Sequence, residues 1–310
     1  MMVTTSAQQF TPQYGSLSTS QQGPSSMPDQ DAECFDLHSH SLASDGALAP
    51  AELVQRAANY GVTCLSLTDH DTLDGLPREA HQAAQEQGIR LINGIELSIR
   101  HDNREYHILG LDLDVNSPQL CERVAEQQQA RIKRAQEIGR RLDKAAGLAN
   151  SYERACELAN SPAPGRPLFA KYLEQAGRVR NMRHAFNRFL KQGQSAFVAT
   201  PWCNLEEAIE AIHAGGGQAV VAHPHGYGLT RKKLRQLLTA FKERGGDGLE
   251  VAMPGLTRQQ QELLDECWRH FDLKVSAGSD FHSPEQKWLA LGRLPPLPSD
   301  ATPVWQSFSN

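Results

Sequence analysis

The chain has 310 residues, of which 39% are hydrophobic, and its formal net charge is −5. This length suffices for one large α/β barrel or two ordinary domains. The small negative net charge argues against a protein that coats nucleic acid generally, although such a chain can still contain a local basic cleft. No apolar run approaches the roughly 20 residues of a membrane span, so no membrane segment is expected.

Residues 1–31 form a segment of distinct composition, rich in Gln, Ser, Thr and Pro and without Lys or Arg. A secretory signal has a basic start and an apolar centre, and a mitochondrial presequence carries arginine, so neither is indicated. The segment contains too little apolar surface to offset the entropy lost on ordering. We therefore expect residues 1–31 to be a disordered tail.

The six cysteines are scattered along the chain without C-x-x-C spacing. Disulfide frameworks are mainly a device of small secreted proteins, which this chain does not resemble. The sequence therefore favours reduced thiols and a cytoplasmic location.

After the tail, short apolar runs typical of strands alternate with stretches of helical pattern. The strand runs are 34–38, 64–68, 90–99, 105–113, 218–223, 248–253 and 273–277. Helices are expected to begin at Pro50 and Pro77 and to cover 204–214, 234–244 and 258–270. Alternating strands and helices predict a parallel, barrel-like sheet.

A long polar region of helical composition separates the fourth and fifth strand runs and contains no strand candidate. We interpret residues 117–193 as a helical insertion or small second domain. The barrel would then consist of residues 32–116 and 194–310.

Side chains that bind metals recur in six of the seven strand runs or just beyond them. Because the carboxyl ends of barrel strands meet at one mouth, we expect these side chains to converge. Imidazole and carboxylate both bind divalent ions, and a set of this size suits three ions if Glu96 bridges two of them. The nine candidates are His38, His40, Asp45, His70, Glu96, His107, His223, Asp280 and His282.

Several neighbouring polar residues have a second interpretation. Asp69 and Asp71 would point away from His70 on a strand, which favours orienting roles or turn hydrogen bonds over ligation. His107 taken alone would fit a hydrogen-bonded core histidine, and only its place in the series favours a ligand. His225 is either a substrate contact or a turn residue. Histidines away from strand ends are left out: His81, His101, His184, His213 and His270.

These motifs, in this order, resemble the polymerase-and-histidinol-phosphatase (PHP) family of phosphoesterases. They are His38-x-His40, Thr68-Asp69-His70-Asp71, Gly94-Ile95-Glu96, His107, Ala222-His223-Pro224 and Ser279-Asp280-Phe281-His282, and the likeness covers about residues 34–305. Within the family, the chain is similar to the bacterial 3′,5′-nucleotide bisphosphate phosphatase and ribonuclease AM group. The motifs for that group are Gly165-Arg166-Pro167, Ala185-Phe186 to Gly193, Pro201-Trp202-Cys203 and Val304-Trp305.

The resemblance implies a distorted seven-stranded (β/α) barrel of PHP type with a helical insertion. It also implies three divalent metal ions, commonly manganese, with iron and zinc as alternatives. The first ion would be held by His38, His40, Glu96 and Asp280, the second by Glu96, His107 and His223, and the third by Asp45, His70 and His282.

The activity implied is hydrolysis of the 5′-phosphate of 3′,5′-bisphosphonucleotides, removal of nucleotides from the 5′ end of short or structured RNA, or both. A metal-bound hydroxide held by Glu96, His38, His40 and Asp280 would attack phosphorus. Arg166, and His225 if it is a substrate contact, would bind a substrate phosphate. No obligatory protein partner is indicated.

Two departures from the family pattern concern substrate recognition. Leu168 stands where relatives often carry a histidine, and His225-Gly226 stands where they often read glycine-arginine. A phosphatase of a small metabolite such as histidinol phosphate is therefore an alternative. A non-catalytic PHP module is another, although such a module would have no need of all nine ligands. A third possibility is that the metals mainly stabilise the fold.

The predicted insertion is rich in basic residues, which bears on RNA as a substrate. They could form a basic wall along a single strand or simply be a solvated helix face, and composition alone favours the second. The residues are Arg131, Lys133, Arg134, Arg140, Arg141, Arg178, Arg180, Arg183 and Arg188.

Overall fold

Seven strands form one sheet in which their spatial order is their order along the chain. The computed structural model describes residues 33–309, so the predicted tail lies outside the described residues. Leu37 N–H donates to Ala277 O (2.9 Å), which brings the first and last strands together. The strands are β1 (Phe35–Asp36), β2 (Cys64–Leu67), β3 (Arg90–His101), β4 (Arg104–Leu111), β5 (Gln218–Val221), β6 (Gly248–Ala252) and β7 (Lys274–Ala277).

One strand runs against the others. Four of the six strand pairs are parallel, but β4 is antiparallel to both β3 and β5. The cause is local, because β3 and β4 are joined by the two residues Asp102 and Asn103, both with positive φ (47° and 60°). Tight hairpins favour such a turn, and Asn and Asp tolerate it well. The predicted parallel arrangement is therefore wrong for β4, while the predicted α/β fold with seven strands is confirmed.

Helices cover the sheet, and several begin at side chains that cap their free N–H groups. Asn204 accepts from the N–H of Glu207 (3.0 Å), and Thr257 caps Gln260 in the same manner. No helix in the described range is both long and apolar enough to cross a bilayer. The helices are α1 (Pro50–Asn59), α2 (Arg78–Gln87), α3 (Pro118–Ala146), α4 (Ser151–Ala159), α5 (Arg166–Gln175), α6 (Met182–Ala185), α7 (Leu205–Ala214), α8 (Arg231–Glu243) and α9 (Arg258–His270).

Four of the five helices between β4 and β5 share an apolar core of their own. α3 to α6, with the π-helical turn Phe186–Leu190, bury residues that include Ile138, Leu142, Phe169 and Leu173. The division into a tail, a barrel (32–116 and 194–310) and an insertion (117–193) stays a prediction, but these helices fill the segment in which the insertion is expected.

A substitution at Gly139 tests the packing of α3 on α4. A Cβ at this position would lie 2.6 Å from Cβ and 2.7 Å from the backbone nitrogen of Tyr152. We expect Gly139→Ala to lower the free energy of unfolding by about 1–2 kcal/mol, because overpacking outweighs the gain in helix propensity. Urea denaturation measures the change, with the exposed Lys133→Ala on the same helix as the control. Equal stability of the two variants would contradict this packing.

Candidate metal centre

The nine predicted ligands lie together at one end of the sheet. Their ligand atoms fall into four groups, and within each group the atoms lie within 4.8 Å of one another. Because the groups share members, they form one continuous cluster of imidazoles and carboxylates. The groups are His40, Asp45, His70 and His282; His38, His40 and Asp280; His38, Glu96 and His223; and His70, Glu96 and His107.

Close packing of the chain after β7 against the chain after β1 places Asp280 beside two histidines. A Cβ on Gly278 would lie 2.3 Å from Cβ of His38, so this approach requires glycine. Asp280 has a positive φ (54°), a conformation rare for residues other than glycine, and its N–H donates to His38 O (2.9 Å). Its carboxylate consequently lies 3.4 Å from Nε2 of His38 and 3.2 Å from Nε2 of His40.

Glu96, on β3, occupies the middle of the cluster. One carboxylate oxygen lies 2.8 Å from His223 Nε2 and 2.9 Å from His107 Nδ1. The other lies 2.9 Å from His70 Nδ1 and 3.3 Å from His40 Nε2. Burial raises the pKa of Glu96, but the surrounding imidazoles, His70 and His107 foremost, hold that pKa well below its usual range. The two oxygens therefore face different imidazole pairs, as those of a carboxylate between two cations would.

His107 reaches the cluster by a route that the sequence argument did not foresee. It lies near the start of β4, opposite Ser98 of β3, and not at the carboxyl end of a strand. Because β4 is antiparallel, its beginning lies at the same mouth as the ends of its parallel neighbours. The expectation that these ligands mark carboxyl strand ends is therefore wrong for His107, although its side chain lies among the others.

The donor atoms fit bound cations better than a hydrogen-bonded network of their own. Nε2 of His38 and Nε2 of His40 face each other at 3.1 Å. His70 Nδ1 and Glu96 Oε2 are buried and lack a hydrogen bond within the described structure, although they lie 2.9 Å apart. Burial and the neighbouring His282 lower the pKa of His40 to about 3, so this ring is neutral near pH 7 and offers a lone pair.

Glu250 on β6 supports the cluster and was missed by the sequence analysis. It is fully buried, lies 2.9 Å from Nδ1 of His38, and accepts from the backbone N–H of His223 (2.5 Å). When Nδ1–H of His38 donates to Glu250, Nε2 of the same ring carries no proton and is free to bind a metal. The sequence feature that could have identified Glu250 is its position as the single acidic residue in the apolar run 249–252.

Asp69 and Asp71 belong to none of the four groups. Asp69 accepts from the backbone N–H of Ser41 (2.8 Å), which fixes the loop after His40. Asp71 accepts from the backbone N–H of Ser98 and from Nε of Arg131, both at 2.6 Å. The carboxylate of Asp71 thereby attaches α3 to the mouth of the sheet.

Arg166 lines an open cavity of about 770 Å³ beside the β3–β4 turn. It is the first residue of α5, and its guanidinium lies 3.8 Å from the carboxylate of Glu105. Tyr227 also lines the cavity, and its hydroxyl accepts from the N–H of His107 (2.8 Å), so the cavity adjoins the cluster. His225 lies in the 3₁₀ turn Pro224–Tyr227 with Nδ1 buried and without a partner in the described structure.

Arg134 on α3 is a second cation in this region, and the sequence analysis named it only among the basic residues of the predicted insertion. Its Nε and one terminal nitrogen are buried without hydrogen-bond partners in the described range. Burial and the nearby Arg166 lower its pKa to about 10. Arg131 and Arg134 both lie over the ring of Trp202, 5.4 and 5.5 Å from its centroid. Unsatisfied donors and clustered positive charge make this region suitable for an anion.

Known proteins resemble the chain in sequence and in structure. Residues 36–159 match the model of the PHP domain. The chain is 46% identical to a 5′-3′ exoribonuclease of Haemophilus influenzae, in an alignment that covers 88% of this chain and 98% of the relative. It is 36% identical to a 3′,5′-nucleoside bisphosphate phosphatase of Chromobacterium violaceum, over 88% and 96% of the two chains. The structure of an amidohydrolase from C. violaceum, with bound sulfate and no metal, superimposes with a TM-score of 0.81 at 36% identity, over 87% of this chain and 94% of that one.

Replacement of Glu250 tests its supporting role. We expect Glu250→Gln to weaken Mn²⁺ binding about 10- to 100-fold, as is typical when a partner behind a metal-binding histidine is lost. Calorimetric titration of metal-free protein measures this affinity, and circular dichroism checks the fold. Glu243→Gln, an exposed change on α8, is the matched control. Unchanged affinity in the Glu250 variant would show that His38 does not need this partner.

Proposed function

Because this chain belongs to the PHP family of phosphoesterases, we propose that it hydrolyses phosphate esters of nucleotides with the help of divalent metal ions. Its substrates would be 3′,5′-bisphosphonucleotides and the 5′ end of short or structured RNA, from which it would release nucleotides in the 5′-to-3′ direction. The observation that carries this proposal is the nine-ligand cluster beside a cavity lined by Arg166, with the unpaired donors of Arg134 in the same region.

The nine ligands would hold three ions, and Glu96 would be a ligand of two of them. The second site, with Glu96, His107 and His223, is supported by the 3.2 Å separation of His107 Nδ1 and His223 Nε2, both within 2.9 Å of the same Glu96 oxygen. The other sites would consist of His38, His40, Glu96 and Asp280, and of Asp45, His70 and His282. The mixed imidazole and carboxylate donors suit manganese, iron and zinc, and manganese is our proposal for the native ion.

When bound, such ions lower the pKa of a coordinated water and neutralise charge that develops on phosphate oxygens. The protein would position the ions and the substrate. Glu96 and Asp280 would remain ionised at neutral pH, because the imidazoles around them hold the pKa of each carboxylate below its usual range despite burial. Arg166 and Arg134 would hold a phosphate of the substrate and so fix the reacting phosphorus at the cluster.

Two features favour a nucleotide with two phosphates over a small monophosphate such as histidinol phosphate. The metal cluster would accommodate the reacting phosphate, and Arg134 together with Arg166 would bind a second anion. The cavity of about 770 Å³ also has room for a nucleoside. A non-catalytic module remains the weaker alternative, because it would have no use for all nine convergent ligands.

We also propose a cytoplasmic location, because the proposed substrates are nucleotides and RNA. All six cysteines are free. Unpaired thiols are the rule in a reducing compartment.

Removal of Asp280 tests the catalytic role of the cluster. We expect Asp280→Ala to lower phosphate release from 3′-phosphoadenosine 5′-phosphate by more than about 100-fold, because a ligand should matter more than an outer partner. The exposed Asp300→Ala is the control. Wild-type turnover in the Asp280 variant would contradict a catalytic role for the cluster.

A comparison of substrates tests the nucleotide assignment. Manganese-loaded protein should cleave both this bisphosphate and a short 5′-phosphorylated RNA. If it cleaves neither but hydrolyses an aryl phosphate, Leu168 and His225-Gly226 define a pocket for another phosphate ester.

Chelation separates a catalytic from a structural role of the metals. We expect EDTA to abolish turnover and lower the melting temperature, because bound ions stabilise the folded state, while the protein stays folded at 25 °C. The C. violaceum structure without metal supports persistence of the fold. Circular dichroism and recovery of activity with Mn²⁺ provide the measurement. Unfolding at 25 °C on chelation would instead make the ions structural.

A further inference from the structure

We propose that one exposed face of the inserted helices binds the backbone of single-stranded RNA outside the cavity. This basic face consists of Arg180, Arg183, Asn187, Arg188 and Lys191, on and around α6 and the π-helical turn. The inference rests on the proposed function, since it concerns how an RNA substrate extends beyond the reacting nucleotide.

The segment that contains the basic face is strongly positive in a chain that is negative overall. Residues 175–205 contain no Asp or Glu, whereas Arg178, Arg180, Arg183, Arg188 and Lys191 all lie within them. All five are exposed. Local positive charge of this kind attracts phosphate backbones regardless of the overall charge.

Two of these arginines differ from the arginines of α3 and α4 that pair with acids. On α3, Arg140 and Arg141 both pair with Glu137 at 2.7 Å, and on α4 Arg154 pairs with Glu157 at 2.7 Å. The side chains of Arg180 and Arg183 make no ion pair or hydrogen bond within residues 33–309. Arg180 and Arg183 therefore lack the acid partners that Arg140, Arg141 and Arg154 have.

The basic face continues into the cavity beside the metal cluster. Arg180, Arg183 and Asn187 line a shallow depression, while Lys191 lines the cavity together with Arg166. Lys191 Nζ donates to Oδ1 of Asn187 (3.0 Å), which links the two regions. Positive and hydrogen-bonding groups thus follow one another from the surface toward Arg166.

This arrangement fits single-stranded RNA better than an acidic protein. Proteins that bind single strands combine a positive track with aromatic side chains on which bases stack. Phe186 and Phe197 line the cavity where the basic face meets it. A bisphosphonucleotide would occupy the cavity alone, whereas a longer strand would extend across the basic face.

The experiment compares matched double variants on substrates of two lengths. Arg180→Gln with Arg183→Gln removes two cations of the basic face, and Lys242→Gln with Arg244→Gln removes two cations at the far end of α8. We expect kcat/KM for a 5′-phosphorylated hexaribonucleotide to fall about fivefold or more only in the first variant. For the first variant, the slope of log kcat/KM against the logarithm of the salt concentration should become shallower by about 0.7 for each lost phosphate contact. Cleavage of 3′-phosphoadenosine 5′-phosphate should stay within twofold of wild type in both variants.

Equal losses on both substrates, or no loss on the hexaribonucleotide, would overturn the RNA surface. Binding measured independently of turnover separates this failure from failure of the proposed function. Fluorescence anisotropy of a labelled hexaribonucleotide on the Asp280→Ala protein, with and without the two arginine changes, gives the affinity directly. A loss of binding supports the surface even if the wild-type enzyme cleaves no nucleotide, and unchanged binding refutes it even if cleavage is efficient.

Discussion

A buried carboxylate among imidazoles is the feature on which the site depends. Glu96 has no exposure to solvent, and an isolated carboxylate in such a place would be very costly. It remains ionised because histidines face both of its oxygens. Each of those histidines comes from a different strand or loop, so the charge of Glu96 is balanced only when the sheet is fully assembled. Folding and assembly of this ligand cluster are therefore coupled through this residue.

The antiparallel strand β4 makes that balance possible. A parallel strand would have begun at the opposite end of the sheet, far from Glu96, and its early residues could not have reached the mouth. The tight turn at Asp102 and Asn103 reverses the chain and returns His107 to the cluster. The same reversal leads into α3, which Asp71 attaches to the mouth through Arg131. One local turn thus serves both the proposed metal centre and the helices α3 to α6 that carry the proposed substrate contacts.

Sequence reasoning was effective where spacing determines geometry and ineffective where packing does. His38 and His40 share a face because residues two apart on an extended chain do so, and the strand runs could be recognised from apolar patterns. Glu250 could not be assigned, because its contact with His38 depends on how β6 lies beside its neighbours. Arg134 looked like any helix-surface arginine, since only the packing of α3 against Trp202 shows that its donors are buried. The direction of β4 depended on a two-residue turn that the strand pattern did not reveal.

The most direct test of this account is a crystal structure of the manganese-loaded protein, with anomalous scattering used to locate the ions. The account predicts three manganese positions at the mouth of the sheet, two of them bridged by Glu96, with Glu250 still bonded to Nδ1 of His38. A single ion, or ions that leave Glu96 without a metal contact, would contradict the central role assigned to this carboxylate.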